Sequence, residues 1–141
     1  MAERTLLDTD IFSEVLRGKN AIVVARADAY VKEHGQLTIS LITVLESVKG
    51  LQKAERPDAM DRFVRSLADL EVLGFGLDEA LLAGRIYGDL ERTGQPIGRA
   101  DPMIAAVAIT SGVPLATGNH AHFERIVALG YALRLEDWRA P

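Results

Sequence analysis

The sequence predicts an α/β protein with a central parallel sheet of about five strands, covered by helices on both faces. Short apolar runs typical of strands alternate with longer runs that carry apolar residues at helical spacing. Strands separated by helices form βαβ units, whose parallel sheets are buried on both faces. The length of 141 residues fits one domain, residues 1–141, without repeats or linker-like stretches.

Each element follows from a run of residues and the turn signals that bound it. In chain order, the first helix ends near Gly18, the second stops at residues 34–35, and Pro57 opens the fourth. A loop at 93–98 precedes the sixth helix, which Gly112 ends. The strands are predicted at 5–8, 37–40, 71–75, 113–117 and 132–135, and the helices at 8–17, 21–33, 41–54, 57–70, 77–92, 99–111 and 121–129.

The composition excludes several classes of protein. Hydrophobic residues make up 48% and charged residues 26%, which is enough apolar material for a core. No apolar run reaches the ~18 residues that a membrane span requires. The chain has no cysteine, so disulfides and thiolate metal sites are impossible. We expect a cytoplasmic protein that does not contact a membrane.

The net charge of −4 argues against a nucleic-acid binder, because phosphate contacts normally need a basic face. Carboxylates gathered around metal ions would reverse this argument, since the ions invert the local charge.

Three acidic residues each follow a predicted strand, directly or one helix later: Asp8, Glu46 and Asp101. Sites in parallel sheets form at the carboxyl ends of the strands, so these side chains are expected at one edge. Carboxylates brought together repel unless a cation neutralises them. Mg²⁺ or Mn²⁺ prefers oxygen ligands, and such a site activates water against a phosphodiester.

Each acid also has a purely structural interpretation. Asp8 or Thr9 is suited to cap the following helix, and Asp101 before Pro102 is typical of a helix start. Glu46 is either a surface carboxylate or half of a capping box with Thr43.

The apolar neighbours of Glu46 bear on that choice. Ile42, Leu45 and Val48 predict that this stretch is mostly buried, and a buried glutamate needs a partner such as a metal ion.

The segment after the fourth strand belongs to the same edge of the sheet. Thr117 and Asn119 are candidates for orienting water or the scissile phosphate. His120 and His122 leave a zinc site open, but without other soft ligands we expect loop histidines that touch substrate. His34 is expected to be a surface residue at a helix end.

Four separated blocks resemble the PIN domains of the VapC family and occur in the family's order. They are Leu6-Leu7-Asp8-Thr9-Asp10-Ile11, Thr43-Val44-Leu45-Glu46 with Gly50, the run from Ile97 to Ala106 containing Arg99-Ala100-Asp101-Pro102, and Leu115-Ala116-Thr117-Gly118-Asn119 with Phe123. The resemblance implies a three-layer α/β/α fold and metal-dependent RNA cleavage.

By this resemblance, Asp8, Glu46 and Asp101 match the family's core acids, so Asp8 and Asp101 would bind the metal directly and Glu46 directly or through water. Thr9 matches a hydroxyl position beside the first acid. Asp10 stands where the family more often has Asn, which leaves open whether it is a ligand.

The sequence departs from the family at the fourth acidic position. His120, Ala121 and His122 follow Asn119, and Glu124 is displaced past Phe123. We therefore expect one firmly held Mg²⁺ or Mn²⁺, with a second bound weakly or only with RNA.

The resemblance also implies partners. The chain would be the toxin of a toxin–antitoxin pair, bound by an antitoxin that inserts an arginine among the carboxylates, and it would form a homodimer. The RNA is expected to be a transfer RNA or a ribosomal RNA loop. Candidates for holding its backbone, each otherwise an ordinary solvated side chain, are Arg99, Arg17, Lys19, Lys49 and Arg85.

Two other functions compete with this interpretation. A haloacid-dehalogenase-like phosphatase shares an Asp-x-Asp motif with Asp8-Thr9-Asp10, but its chemistry needs a later lysine and none follows Val113. A domain that keeps the fold and only sequesters a partner would explain the missing fourth acid and the negative charge.

Overall fold

The computed structural model describes residues 3–141, so Met1 and Ala2, the first two residues of the predicted domain, lie outside the described residues. No helix within the described range is both long and apolar enough to cross a membrane. The strands are β1 (Leu6–Leu7), β2 (Leu37–Ser40), β3 (Leu70–Leu73), β4 (Leu115–Ala116) and β5 (Leu135–Glu136). The helices are α1 (Thr9–Arg17), α2 (Ala21–His34), α3 (Leu41–Lys53), α4 (Pro57–Ser66), α5 (Leu77–Arg92), α6 (Asp101–Ser111) and α7 (His120–Ala128).

The parallel arrangement of the strands is confirmed, but one continuous sheet of about five strands is not formed. The five described strands are divided into a three-stranded sheet in the order β1-β4-β5 and a two-stranded sheet of β2 and β3. All three strand pairings are parallel. β1 lies beside β2 without a regular ladder between them in the described chain.

The two faces of the sheet region carry separate apolar clusters, which confirms the three-layer architecture. Leu6 and Leu115 pack with residues of α5, α6 and α7. Their neighbours Leu7 and Ala116 point to the opposite face and pack with residues of α1, α2 and α4. This alternation follows from the two-residue repeat of a strand. The carboxyl ends of β1 and β4 therefore sit between two helical layers.

Several element boundaries differ from the prediction. The fourth helix ends at Ser66 and not at Leu70, and a 3₁₀ turn at Leu67–Asp69 leads into β3. β3 begins earlier than predicted because each of its four residues is paired with one residue of β2. The strands predicted at 113–117 and 132–135 are two-residue strands, the latter shifted to Leu135–Glu136.

Candidate active site

Asp8 follows β1 directly and is both the N-cap of α1 and one of the four acids that we call the acidic cluster, which are Asp8, Asp10, Glu46 and Asp101. Its Oδ1 accepts the backbone N–H of Thr9, the first residue of α1, at 2.8 Å. Its Oδ2 accepts the hydroxyl of Thr117 at 2.8 Å. The residue is only 4% exposed. The capping interpretation is thus confirmed and leaves the carboxylate facing the carboxyl end of β4.

Glu46 reaches the start of α1 from α3. The Thr9 hydroxyl donates to Glu46 Oε1 at 2.6 Å and also lies 2.9 Å from the Thr43 hydroxyl. The N-cap of α3 is Ser40, whose hydroxyl accepts the N–H of Thr43. The proposed capping box of Thr43 and Glu46 is therefore wrong.

The expectation that the stretch around Glu46 is mostly buried is also wrong in part. Ile42 is buried, but Leu45 is 61% exposed and Glu46 itself is half-buried. Leu45 lies on the outer side of α3, since residues three and four apart, and not neighbours, share a helix face.

Asp101 is the first residue of α6, and Ala100, not Asp101, is its N-cap. Pro102 follows in the first turn, where a missing N–H costs nothing. Asp101 Oδ2 lies 3.2 Å from Nδ1 of His122. The expectation of loop histidines is wrong, because His120 and His122 belong to the first turn of α7. The sequence singles out His122 as a residue that touches substrate, but it does not reveal the contact with Asp101.

The remaining histidine expectation also needs correction. His34 ends α2 as predicted, but its side chain is only 14% exposed and packs 4.4 Å from the Tyr30 ring, measured between ring centroids. It therefore packs largely buried against Tyr30, one turn earlier on α2, and is not a surface residue.

The carboxylates of the cluster act on one another electrostatically. Burial, with the charge of Asp10 and more weakly that of Asp101, raises the pKa of Asp8 to about 7. Burial also raises the pKa of Asp101, against the hydrogen bond and charge of His122, and the charges of Glu46 and Asp10 add to the rise. A cation placed among these groups would reverse both shifts.

Asp10 is held in place by the backbone. Its Oδ1 accepts the N–H of Ile11 at 2.7 Å and its Oδ2 accepts the N–H of Gly118 at 3.0 Å. The guanidinium of Arg139 passes close over Gly118 and lies 3.9 Å from Asp10, so no side chain fits at position 118 without moving it. Asp10 thus ties α1 to the loop after β4 and increases the negative charge around Asp8.

Thr117 and Asn119 differ in accessibility. Thr117 is fully buried, and its hydroxyl donates to Asp8 and accepts the N–H of Asn119 at 2.9 Å. Asn119 is exposed at the start of α7. Thr117 therefore positions Asp8, whereas the side chain of Asn119 is open to solvent and to a substrate. Glu124, the displaced fourth acid, is exposed on α7.

The carboxylate oxygens of these acids suit a divalent ion, although the acids do not form a complete coordination shell. Within residues 3–141, no three histidine or acidic side chains form a group that could hold an ion together. Mg²⁺ characteristically uses one or two carboxylates and keeps several waters, so Asp8 and Asp101, with Glu46 acting through water, match its chemistry. The same finding gives no support to a zinc site at His120 and His122.

The predicted basic residues are all exposed, and one of them lies near the cluster. Arg17 lines a cavity that Thr9 and Glu46 also line. Arg99 precedes α6, and its carbonyl accepts the Tyr87 hydroxyl. The others are Lys19, Lys49 and Arg85. Two further arginines of the cavity, Arg56 and Arg62, were not identified from the sequence, where nothing distinguishes them from solvated helix residues.

Comparison with known proteins identifies the family. A PIN domain model matches residues 5–129. The chain is 31% identical over 134 residues to the tRNA(fMet)-specific endonuclease VapC of Shigella flexneri, covering 94% of this chain and 96% of that protein. It is 36% identical over 104 residues to the endonuclease of the same name from Salmonella typhimurium, covering 73% and 76%.

Solved structures agree. The DNA-bound VapBC complex of Salmonella typhimurium is similar with a TM-score of 0.81 and 30% identity, covering 97% of this chain and 99% of the matched chain. VapBC-1 of nontypeable Haemophilus influenzae also has a TM-score of 0.81, with 27% identity over 98% and 100%. The chain therefore belongs to the PIN-domain family of VapC ribonucleases, which are components of toxin–antitoxin systems.

Proposed function

We propose that this chain, as a single PIN domain over residues 1–141, is an endoribonuclease that hydrolyses RNA phosphodiester bonds with a bound Mg²⁺ or Mn²⁺. The observation that carries the proposal is Asp8, a buried carboxylate whose hydrogen-bond donors are both neutral and whose nearest charged neighbours are acids. A cation beside such a group would favour its ionised form at neutral pH. Family membership supports the nuclease over the phosphatase alternative.

The roles of the side chains follow from their contacts. Asp8 and Asp101 would hold the ion directly, and Glu46, oriented by the Thr9 hydroxyl, would do so through water. When bound, the ion would activate a water and stabilise negative charge on the phosphate. Thr117 keeps Asp8 in place, His122 orients Asp101, and Asn119 is free to hydrogen-bond the scissile phosphate.

The partners are proposed from the family. An antitoxin would block the site in a toxin–antitoxin complex, since the similar solved structures are VapBC complexes. A homodimer is proposed because α3 and α5 expose leucines to solvent. We place the activity in the cytoplasm, where its RNA is found. A transfer RNA is the favoured substrate over a ribosomal RNA loop, because two relatives are named for tRNA(fMet).

A domain that only binds a partner is the second candidate. The acids within residues 3–141 do not form a complete set of metal ligands, and this observation favours it. Such a domain would keep its affinity for the antitoxin and show no cleavage under any metal.

The test incubates purified protein with total cellular RNA in Mg²⁺, in Mn²⁺ and in EDTA, followed by sequencing of the new RNA ends. Asp8→Asn and Asp101→Asn are expected to abolish the cuts, and Asp28→Asn, an exposed acid on α2, serves as the matched control. Discrete cuts that need metal and disappear only in the two site variants support the proposal. Folded, antitoxin-free protein that cuts nothing would favour the binding domain.

A further inference from the structure

A second feature adjoins the acidic cluster: a cavity of about 650 Å³ between α1, α3 and α4. Thr9 and Glu46 form one side of it, and Leu51 and Phe63 contribute apolar surface. Its volume lies within the range of ligand pockets, about 300–1,000 Å³. Because Thr9 and Glu46 also belong to the candidate active site, an extended ligand bound at that site could continue into the cavity.

Three arginines, Arg17, Arg56 and Arg62, line this cavity, and Glu46 is the only acid among the lining residues of the described chain. Within residues 3–141 none of the three arginines has an ion pair with an acidic side chain. Four other arginines of residues 3–141 have such partners, as Arg134 has in Glu3, and several do not, so the distinguishing feature of the three is that they line one cavity. The cavity thus carries unpaired positive charge within the described chain and shares Thr9 and Glu46 with the candidate active site.

Helix stability does not explain Arg56. It is the N-cap of α4, makes no side-chain capping bond, and places a cation at the positive end of the helix dipole. Arg62 faces the same cavity from one turn and a half further along α4, beside Ala59 and Phe63. An anionic ligand would account for both positions.

We propose that this cavity, the arginine pocket, is a subsite that binds backbone phosphates of the RNA next to the scissile bond. The proposal rests on the proposed nuclease function. Guanidinium groups pair with phosphate in planar, bidentate geometry, and the phosphate charge matches three arginines facing one glutamate. An antitoxin segment carrying an arginine would meet like charge here, so charge complementarity favours RNA.

The experiment measures binding of a fluorescently labelled single-stranded RNA of mixed sequence over a range of salt, in Mg²⁺ and in EDTA. The Arg56→Gln/Arg62→Gln double variant is compared with wild type and with Arg65→Gln, an exposed arginine of the same helix outside the pocket. We expect the double variant to lose about tenfold in affinity per arginine and the salt slope to fall by about 0.7 per arginine. Arg65→Gln should bind as wild type does.

Three further measurements make the result specific. The Arg56→Lys/Arg62→Lys protein should keep the salt slope and recover part of the affinity, because it keeps the charge without the bidentate geometry. Circular dichroism confirms that all variants fold. Cleavage of total RNA is recorded separately, so that a nuclease failure and a subsite failure are distinguished.

A lower RNA affinity and a smaller salt slope in Arg56→Gln/Arg62→Gln, but not in Arg65→Gln, support the arginine pocket, whether or not cleavage is seen. RNA binding equal to that of wild type in the double variant overturns it, and metal-dependent cleavage by wild type would then still support the nuclease. Unchanged RNA binding with reduced affinity for a poly-glutamate peptide also overturns it and identifies a peptide site.

Discussion

Opposing interactions act on the ionisation of the Asp8 carboxyl group. Its two hydrogen bonds, from the Thr9 backbone and the Thr117 hydroxyl, favour the ionised carboxylate. Burial and the charge of Asp10 oppose ionisation more strongly, which raises the pKa to about 7. In the metal-free protein, the carboxyl therefore keeps its proton in part of the molecules at neutral pH, and a cation beside it would favour the ionised form.

The first prediction concerns stability against pH in EDTA. The folded pKa of Asp8 is about 7, above the value of about 3.9 in an unfolded chain, so the folded state binds the extra proton. The free energy of unfolding should therefore fall as pH rises from about 4 to about 7 and then level off. Urea unfolding at pH 5 and pH 8 should show a loss of about 1–4 kcal/mol from this group.

The Asp8→Asn protein provides the control for that loss. It cannot ionise at this position, so it should show a smaller difference between pH 5 and pH 8 and exceed wild type in stability at pH 8. An equal pH dependence in both proteins would contradict the assignment of the effect to Asp8.

His122 gives the second prediction. Its Nδ1 contact with Asp101 orients the proposed ligand, and loss of such an outer partner typically costs about 10–100-fold in metal affinity or activity. His122→Ala should reduce metal-dependent RNA cleavage by that factor, and raising the metal concentration should recover part of it. Glu124→Gln, on the same helix but exposed, should cleave as wild type does. Equal activity of both variants would exclude this role for His122.

At the scale of elements, α2 fixes the short strand β1 through a buried hydroxyl. The Tyr30 hydroxyl accepts the N–H of Thr5 at 3.1 Å and lies 2.7 Å from the Thr38 hydroxyl. Thr38 in turn donates to Glu71 at 2.8 Å. β1 pairs with β4 through only two residues, so this network contributes to holding Asp8 at the sheet edge.

The third prediction is that Tyr30→Phe destabilises the fold without changing the site chemistry. Removing the hydroxyl leaves the Thr5 N–H and the Thr38 hydroxyl with one partner fewer, at a cost of about 1–3 kcal/mol. Urea unfolding measures this loss, while kcat for RNA cleavage by the folded variant should stay within about twofold of wild type. A drop in kcat with unchanged stability would contradict the structural role.

The helices and strands that could be predicted best from the sequence are those with a clear pattern of apolar residues of their own. The helix at Leu77–Arg92 and the strand at Leu37–Ser40 are found where they were predicted, because their own residue patterns define them. The ends of β4 and β5 are set by which residues they pair with across the sheet, which the local sequence does not contain.

The candidate active site could likewise be predicted only in part from the sequence. Asp8, Glu46 and Asp101 were identifiable because each follows a strand, and their charges do interact in the fold. The contact of His122 with Asp101 joins the starts of two helices 21 residues apart, and the arginine pocket joins three helices. Such juxtapositions depend on how helices pack, not on the pattern within any one of them.

For the whole molecule, the net charge of −4 conceals a separation of charge. The acidic cluster lies at the sheet edge, while the arginine pocket beside it carries unpaired positive charge within the described chain. The charge of the whole chain was therefore a weak argument against RNA binding, because recognition depends on the local field.

The last prediction concerns the proposed homodimer. Leu41 and Leu45 on α3 are 47% and 61% exposed, and Leu77 and Leu81 on α5 are 75% and 52% exposed. Each pair is spaced four residues apart and so shares a helix face. Apolar helix faces left in water indicate an interface, and burying each leucine contributes about 1.5–3 kcal/mol.

Leu45→Glu/Leu81→Glu should therefore shift the protein from dimer to monomer in sedimentation velocity, because association would bury two carboxylates. Val64→Glu, a control on α4 at a residue that is 51% exposed and whose neighbour four positions earlier, Met60, is half-buried, should leave the dimer intact. Circular dichroism should be unchanged in both variants, since all these side chains already contact solvent. If the double variant stays dimeric and Val64→Glu dissociates, the interface lies on α4. The dimer and the arginine pocket would then use the same helix.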